Sequence, residues 1–381
     1  MDTLELDRTA EPARRTAGDL LAIALAAQPG SSDVFFSPGR PVQVEVNGAL
    51  APVDVPGLEE LTADETGRIA AQLLGSNRQA LETLAAEGSC DFSYSVPALA
   101  RFRVNVFQQG GAHAVVMRVI PPRVPDLETL GLPPQLGELS GLLNGIVMVT
   151  GPTGAGKSST LAALIDKINR ERACHIITIE DPVEFVHTHR KSTVHQRELH
   201  RDTPSFALAL RAALRQAPHV ILVGEMRDRE TIEIALEAAE TGHLVFSTLH
   251  TIDASRTVER IVGVFPLADQ NLVRHRLAQC FRYIVSQRLI PRKDGSGRAA
   301  AVEILKSTLR TREYIEKGEA QGRTLVDAMR DGSLDGMQHF DAEVERLIRA
   351  GVIDVATGLA YATNPGNLQL ELADFDEQRR P

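Results

Sequence analysis

The sequence lacks a long apolar run, has few cysteines and aromatic residues, and carries no basic excess. No stretch approaches the ~18 uninterrupted apolar residues of a membrane span, so we expect no integral membrane segment. Its three cysteines, Cys90, Cys174 and Cys280, lie far apart, which argues against a disulfide framework and favours a reducing cytoplasm. The net charge of -9 and the 4% aromatic content give no sign of a basic binding face or a base-stacking platform, so we expect no nucleic acid partner.

What the sequence does contain falls into segments of different pattern, and 381 residues suffice for two or three domains. The amino-terminal part mixes helical segments with strand-like runs, and Gly110-Gly111 predicts a hairpin between two of them. A proline-rich stretch then predicts a semi-rigid linker. Beyond it, apolar strands alternate with helices, which predicts a parallel sheet covered by helices. The predicted strands of this sheet are Ile146 to Thr150, His175 to Ile179, Val220 to Val223 and Leu244 to Ser247.

A complete Walker A loop, Gly-Pro-Thr-Gly-Ala-Gly-Lys-Ser, occupies residues 151–158. An apolar run precedes it and a helical pattern follows, a strand–loop–helix setting that chance matches lack. Lys157 is expected to reach the β and γ phosphate oxygens, and the Ser158 hydroxyl is placed to coordinate Mg²⁺. The sequence therefore predicts a nucleoside triphosphate site. Its predicted binding residues are Gly151, Pro152, Thr153, Gly154, Ala155, Gly156, Lys157, Ser158 and Ser159.

Three further candidates follow the ends of apolar strands, where side chains project into the crevice that holds phosphates. Glu225 is the leading candidate for the general base that orients or deprotonates water. Glu180 could hold Mg²⁺, for example through water, or help to place the nucleophile. A cap on a helix or turn is the alternative role for either glutamate. His250 could sense the γ-phosphate or a neighbouring carboxylate, with a structural role as its alternative.

Arginine side chains are also expected near the transferred phosphoryl group, where negative charge develops, and a neighbouring subunit can supply them. The candidates are Arg101, Arg103 and Arg118 in the amino-terminal part, and Arg211, Arg215 and Arg227 around the Glu225 strand. A surface or ion-pair role is the alternative for each. A separate histidine cluster matches no common ligand spacing and includes no cysteine, so we expect no zinc site there. That cluster consists of His187, His189, His195 and His200.

Five ordered segments carry a family resemblance. They are G-P-T-G-A-G-K-S-S-T at 151–160, I-T-I-E-D-P-V-E-F at 177–185, Q-R-E-L-H-R-D-T at 196–203, V-I-L-V-G-E-M-R-D at 220–228 and E-T-G-H-L-V-F-S-T-L-H-T at 240–251. Through them the chain resembles the type IV pilus retraction ATPases of the PilT/PilU type, within the secretion ATPase superfamily. The resemblance extends from about residue 17 to residue 370.

The resemblance implies an α/β fold class, with an amino-terminal α+β, PAS-like domain followed by a RecA-like P-loop NTPase domain and a helical carboxyl-terminal extension. The expected segments are 1–120 for the amino-terminal domain, 121–135 for the Pro-rich linker, 136–290 for the RecA-like ATPase core, 291–370 for the helix-rich carboxyl-terminal subdomain and 371–381 for a polar tail.

The same resemblance implies residue roles. Lys157 and Ser158 would bind phosphate and Mg²⁺, Glu180 would be the Asp-box acid, Glu225 the catalytic acid of an atypical Walker B segment, and His250 the His-box histidine. The arginines that match those facing nucleotide from the first domain are Arg101, Arg103 and Arg118.

It also implies an assembly: a homo-hexamer that hydrolyses ATP, with ATP between the two domains, cytoplasmic and peripheral at the inner-membrane base of the pilus. An inner-membrane pilus platform protein is an expected partner, and a paralogous retraction motor is a further candidate partner.

Departures from the family pattern leave alternatives open. The paired C-x-x-C zinc module that is usual in pilus-extension and type II secretion ATPases is absent, which favours retraction. The retraction signature A-I-R-N-L-I-R-E is poorly matched by residues 309–316, whereas residues 336–341 and 364–370 look closer to an accessory, PilU-like retraction motor. An accessory retraction ATPase, an extension or type II secretion ATPase, and a regulatory nucleotide-binding module therefore remain as alternatives. A nucleic-acid translocase is the last alternative, and the acidic charge and few aromatic residues argue against it.

Overall fold

A computed structural model describes residues 15–46, 49–120 and 123–373, and the chain divides into two units, Met1–Arg123 and Val124–Pro381. We call these the amino-terminal unit and the carboxyl-terminal unit and describe each by itself. Pro121 and Pro122 of the expected linker, and residues Asp374 to Pro381 of the polar tail expected at 371–381, lie outside the described residues, whereas Glu371 ends a helix and Leu372 is buried. Within the described part of the chain, no helix combines the length and the apolar character that crossing a bilayer requires.

The described residues of the amino-terminal unit form a six-stranded antiparallel sheet with three helices, in the strand order β3-β2-β1-β6-β5-β4. The strands are β1 Asp33–Phe36, β2 Gln43–Val46, β3 Ala49–Pro52, β4 Ser89–Val96, β5 Ala100–Gln109 and β6 Ala112–Ile120, and the helices are α1 Ala17–Ala27, α2 Ala63–Leu74 and α3 Arg78–Glu87. The β5–β6 pair is the hairpin predicted around Gly110-Gly111, with Gln109 opposite Ala112. Alternate β5 residues Phe102, Val104 and Val106 are buried, so one face of the sheet forms the core.

The carboxyl-terminal unit contains a seven-stranded sheet in the order β13-β12-β7-β11-β10-β8-β9. Its strands are β7 Gly145–Thr150, β8 His175–Glu180, β9 Thr193–Glu198, β10 Val220–Val223, β11 Leu244–Leu249, β12 Phe281–Pro291 and β13 Arg298–Lys306. All neighbouring strands are parallel except β12 and β13. Every residue of β7, β10 and β11 is buried, as expected for strands covered on both faces.

Helices cover both faces of this sheet. They are α4 Lys157–Glu171, α5 Phe206–Ala213, α6 Arg229–Glu240, α7 Ala254–Gly263, α8 Leu267–Cys280, α9 Leu309–Lys317, α10 Leu325–Asp331, α11 Phe340–Arg349, α12 Val355–Tyr361 and α13 Pro365–Glu371. Two 3₁₀ segments, Pro134–Gly141 and Ser333–Asp335, complete the regular structure that the described residues form. Two apolar clusters, one on each face of the sheet, therefore make up most of the core.

Three strands of this sheet were not predicted, and each lacks the usual sequence signal. Strand β9 is largely polar, and β13 begins with a run of alanines, which favour strands weakly. Strand β12 follows α8 directly at Phe281, with no glycine or proline to mark a boundary. The expected end of the core at residue 290 falls inside β12, and β13 extends the sheet into the segment that was expected to be helix-rich.

Candidate active site

The predicted site residues of the carboxyl-terminal unit lie at one edge of its sheet. The neighbouring strands β7, β11, β10 and β8 are parallel, so their carboxyl ends share an edge. The Walker A loop follows β7, His250 follows β11, Glu225 follows β10, and Glu180 is the last residue of β8. Because paired strands lie ~4.8 Å apart, these groups fall within the span of one nucleotide triphosphate.

The strand ends are tied to one another by hydrogen bonds. The Gly224 N–H donates to the Ile179 carbonyl at 2.7 Å, which joins the ends of β10 and β8. The Thr248 hydroxyl donates to the Gly224 carbonyl at 2.6 Å, which joins β11 to β10. Glu225 and His250 are thereby held side by side.

The Walker A loop leads into the first turn of α4 in the way that a phosphate site requires. The cap residue Gly156 has a left-handed backbone with φ 85°, and no side chain caps the free N–H groups of the helix. Uncapped N–H groups at a helix start attract anions. Lys157, the first residue of the helix, adds a positive charge at the same place. The loop therefore offers both features that bind a polyphosphate.

Gln287 on β12 supports this loop and was not predicted. A Cβ on Gly151 would overlap the Gln287 carbonyl, and a Cβ on Gly156 would lie 2.8 Å from its Nε2 atom. The Gln287 Oε1 atom accepts a hydrogen bond of 2.8 Å from Thr160 on α4. Gln287 thus fixes the loop against the sheet. Its identity could not be found from sequence because it lies more than 100 residues from the loop.

The Lys157 ammonium group is buried and points back into its own loop. Its Nζ atom donates to the carbonyls of Gly151 at 2.8 Å and Pro152 at 3.1 Å, and lies 3.4 Å from His250 Nδ1. Burial lowers the pKa of Lys157, while the carboxylates of Glu225 and Glu184 oppose that shift. The two carbonyls and the His250 nitrogen are all neutral acceptors. Negatively charged phosphate oxygens make stronger hydrogen bonds with an ammonium group and could take their places.

Glu225 lies between a histidine and an arginine. Its Oε1 atom is 3.4 Å from His250 Nε2, and its Oε2 atom is 2.6 Å from the Arg227 guanidinium. The Glu225 side chain is 17% exposed, which leaves it access to water. Since Lys157 donates toward His250 Nδ1, the partners favour the tautomer in which Nε2 carries the proton and faces Glu225. The arrangement brings the predicted general base and the predicted phosphate sensor into contact.

Glu180 is held by two side chains in a less accessible position. Its Oε1 atom accepts from the Thr178 hydroxyl at 2.6 Å and from the Gln196 amide at 3.1 Å. The pKa of Glu180 is raised to about 7, chiefly by burial; the hydrogen bonds from Thr178 and Gln196 oppose the shift, and the charge of Glu184 adds to it. A bound cation would favour the ionised carboxylate. Hydroxyl and carboxylate oxygens suit Mg²⁺, so Ser158 and Glu180 fit the predicted ion.

Two further residues near this edge, Gln196 and Glu184, had no predicted role. Gln196 on β9 donates to Glu180 and to the Phe185 carbonyl, so it orients the acid from the neighbouring strand. Glu184 is exposed, and its charge acts on both Lys157 and Glu180. Its place four residues after Glu180, in the same E-D-P-V-E segment, was the available signal.

The six candidate arginines are placed differently. Arg227 contacts Glu225 directly, whereas Arg211 pairs with Glu230 at 2.7 Å on α6, and Arg215 is exposed after α5. In the amino-terminal unit, Arg103 lies 3.9 Å from Asp91 and Arg118 lies 3.0 Å from Asp33, and Arg101 is half-buried on β5. The role of these arginines toward nucleotide therefore stays a prediction.

The histidine cluster lies around β8 and β9. It is separate from the sheet edge that carries the Walker A loop, Glu225 and His250, which we call the catalytic edge. His195 Nδ1 is 2.8 Å from Nε2 of His175, which starts β8, and His189 Nδ1 accepts from the Val194 N–H. His187 is buried, which lowers its pKa. Among the described residues, no three His, Cys, Asp or Glu side chains are arranged to hold a metal.

Comparisons with known proteins agree with this geometry. The family model described as "Type II/IV secretion system protein" matches residues 22–350. The chain is 42% identical over 350 residues to the "Type IV pilus retractation ATPase PilT" of Pseudomonas aeruginosa, covering 91% of this chain and 98% of that protein. It is 39% identical over 349 residues to the "Type IV pilus ATPase PilU" of the same organism, covering 91% and 89%.

The fold is also similar to a solved structure, described as the pilus retraction motor PilT with bound ADP. The TM-score is 0.84 at 40% identity, covering 93% of this chain and 99% of that one. This similarity confirms the predicted α/β fold class, with an amino-terminal domain followed by a RecA-like ATPase domain.

Proposed function

The chain belongs to the type II/IV secretion system protein family, and from that membership we propose that it is an ATP-hydrolysing motor that powers type IV pilus retraction and twitching motility. The observation that carries the proposal is the contact of His250 with both Lys157 and Glu225 at the edge that follows the Walker A strand. A structural nucleotide site needs the loop alone, whereas a hydrolytic site also needs a base beside it. The family resemblance noted in the sequence is confirmed by the relatives.

In the proposed reaction, Glu225 accepts a proton from the attacking water. His250 Nε2–H, 3.4 Å from Glu225 Oε1, orients the carboxylate, while Lys157 binds the β and γ phosphate oxygens. Mg²⁺, held by Ser158 and Glu180, would supply charge neutralisation on the phosphates when bound. Arg227 holds the Oε2 atom of Glu225 in place through its 2.6 Å contact.

We further propose that the motor works as a homo-hexamer at the inner-membrane base of the pilus, with a membrane platform protein as partner. A head-to-tail ring lets one subunit supply an arginine to the site of the next, and Arg101, Arg103 and Arg118 are the candidates for that role. Similarity to PilU over 91% of the chain supports a second candidate, an accessory retraction ATPase that works beside a paralogous motor.

Turnover by the full chain tests the enzymatic part of the proposal. Removing a general base slows catalysis by about 10²–10⁴-fold, so Glu225→Gln is expected to lose about 100-fold or more of kcat while ATP binding stays within about twofold. Glu230→Gln is the matched control, because Glu230 lies five residues further along and pairs with Arg211 instead. Wild-type turnover by Glu225→Gln would contradict the assignment of the base.

Pilus phenotypes test the direction of work. Retraction is supported if a strain that lacks this gene carries excess surface pili and does not twitch. Wild-type protein should then restore twitching, and Glu225→Gln should not. Lost piliation would indicate extension instead. Partial loss of twitching that appears only under load, or only beside a second motor, would favour the accessory role.

A further inference from the structure

A buried glutamate away from the catalytic edge joins the starts of two helices. Glu303 on β13 is 3% exposed. Its Oε1 atom accepts a hydrogen bond of 2.9 Å from the N–H of Ala254, the first residue of α7. The backbone N–H of Phe340, the first residue of α11, faces the same carboxylate and lowers its pKa, and the two residues line one cavity. Both are helix-start N–H groups with no partner inside their own helix, so one side chain lies against two such donors.

The first of these helices carries the His250 segment. Ala254 lies four residues after His250, and the Asp253 side chain caps the helix by accepting from the Arg256 N–H at 2.7 Å. The Thr251 hydroxyl lies 2.6 Å from the Thr257 hydroxyl one turn into the helix. The segment from His250 to Asp253 is therefore short and anchored to α7, which ties the position of His250 to the start of α7.

The second helix belongs to the carboxyl-terminal helices. The Phe340 ring lies 3.8 Å from the Arg288 guanidinium of β12, and Arg288 donates to the Tyr361 carbonyl at 2.7 Å. Arg288 is the neighbour of Gln287, which supports the Walker A loop. These helices thus contact the β12–β13 flank of the sheet at two places, at Arg288 beside the support of the Walker A loop and at Glu303 beside the start of α7.

Stability alone does not favour an ionised acid at this place. The pKa of Glu303 is raised to about 7, chiefly because the side chain is buried; the Ala254 N–H opposes the shift, the charge of Asp253 adds to it, and Arg288 opposes it. The ionised carboxylate is therefore unfavourable there, and a neutral side chain of similar size would pack with less cost. An acceptor with two oxygens is what the two N–H donors need.

We propose that Glu303 is a positioning residue for ATP hydrolysis, which holds the His250 segment against the first turn of α11 so that the carboxyl-terminal helices set the position of His250. The inference rests on the proposed role of His250. Glu303 touches neither nucleotide nor water in this scheme and acts through the Ala254 N–H. Loss of one acceptor oxygen should therefore change turnover rather than ATP affinity.

Steady-state turnover of the full chain provides the test, with Glu303→Gln as the main variant. Gln keeps the size but faces one of the two donors with an amide NH₂. Because small misplacements of catalytic groups cost up to about 100-fold, we expect kcat to fall on the order of tenfold, with KM for ATP within about twofold. Glu371→Gln is the matched control, since Glu371 lines the same cavity of about 230 Å³ beside Glu303 but lies on α13.

A double variant separates positioning from an independent defect. If Glu303 acts through His250, the combined Glu303→Gln and His250→Ala variant is no slower than His250→Ala alone. Hydrogen exchange at the Ala254 amide reports the contact itself and should be faster in Glu303→Gln. Should Glu303→Gln fail to fold, Glu303→Asp serves in its place, because it keeps the charge and is too short to reach both donors.

Each outcome has a distinct meaning. Wild-type turnover by His250→Ala would refute the proposed role of His250 and remove the basis of the inference. Slow His250→Ala with wild-type turnover by Glu303→Gln would overturn the inference and leave the proposed function intact. If the turnover losses of the two single substitutions multiply in the double variant, the inference is also overturned, because Glu303 would then act independently of His250.

Discussion

Replacing Glu303 by Gln should make the carboxyl-terminal unit more stable at neutral and alkaline pH while it slows turnover. The pKa of Glu303 rises from its ordinary value of 4.5 to about 7 because the side chain is buried. Ionisation of a buried acid opposes folding, and Gln cannot ionise. A residue kept only for stability would show the opposite result, since its loss would lower stability and activity together.

The sign follows from proton binding. Between pH 4.5 and about 7 the folded protein holds a proton on Glu303 that the unfolded chain has released, so the wild-type free energy of unfolding falls as pH rises through this window. The fall approaches about 1.4 kcal/mol per pH unit and reaches about 3 kcal/mol above pH 7. Glu303→Gln lacks this fall. The two proteins should therefore be equally stable near pH 4, and the variant more stable by about 3 kcal/mol at pH 8.

The charged groups around Glu303 fit this sign. Asp253, on the α7 side, raises the pKa, whereas Arg288, on β12, lowers it. Arg330, His339 and Asp341 line the adjoining cavity and are unchanged in the variant. Glu180 titrates in the same pH window, but it is present in both proteins, so its contribution cancels in the difference.

Thermal unfolding of the full chain between pH 4 and pH 8 is the assay. The chain has two units, so the relevant transition is the one that ADP raises, because a ligand stabilises the unit that binds it. At about 2–4 °C per kcal/mol for a unit of this size, Glu303→Gln should melt about 6 °C or more above wild type at pH 8. A variant that melts below wild type at pH 8 would refute the reasoning. So would a variant that melts above wild type by the same margin at pH 4 and at pH 8.

Two further predictions concern the nucleotide site. A Cβ in Gly151→Ala would overlap the Gln287 backbone carbonyl, which cannot move aside, whereas Gly154→Ala meets nothing within 4 Å, and both glycines have a positive φ. ADP affinity, measured by calorimetry, should therefore fall at least about tenfold more in Gly151→Ala. Equal losses would show that backbone strain, and not the contact with β12, matters. Glu180→Gln should raise the Mg²⁺ concentration for half-maximal turnover several-fold, because a neutral amide binds Mg²⁺ more weakly than a carboxylate. An unchanged Mg²⁺ dependence would assign Glu180 to another role.

Local pattern was sufficient to predict which side chains lie together at this edge of the sheet. Each of these groups lies at or just after the end of a mainly apolar strand, and parallel strands of one sheet end at the same edge. The Walker A loop identifies the edge, and Glu180, Glu225 and His250 follow by position alone. The contacts between Glu225, His250 and Lys157 needed the order of the strands, which the pattern does not contain.

The supporting residues could not be predicted, because their meaning depends on distant partners. Gln287 matters through a loop more than 100 residues earlier, and Glu303 through helix starts at Ala254 and Phe340. Nothing in their own segments marks them. Strands β12 and β13, which carry both, also lacked strand signals, so the part of the sheet that braces the site was the part that sequence reasoning missed.

In the proposed mechanism, the strand order makes His250 the group that connects phosphate binding to the base. Strand β11 lies between β7, which precedes the Walker A loop, and β10, which precedes Glu225, so a side chain at its end can reach both neighbours. His250 Nδ1 faces Lys157, and Nε2 faces Glu225. In the proposed mechanism, a phosphate that draws Lys157 away takes this donor from Nδ1, while Nε2 stays beside Glu225. We therefore expect phosphate binding to act on the base through the His250 ring, and we expect the proposed anchor at Ala254 to set the position of that ring.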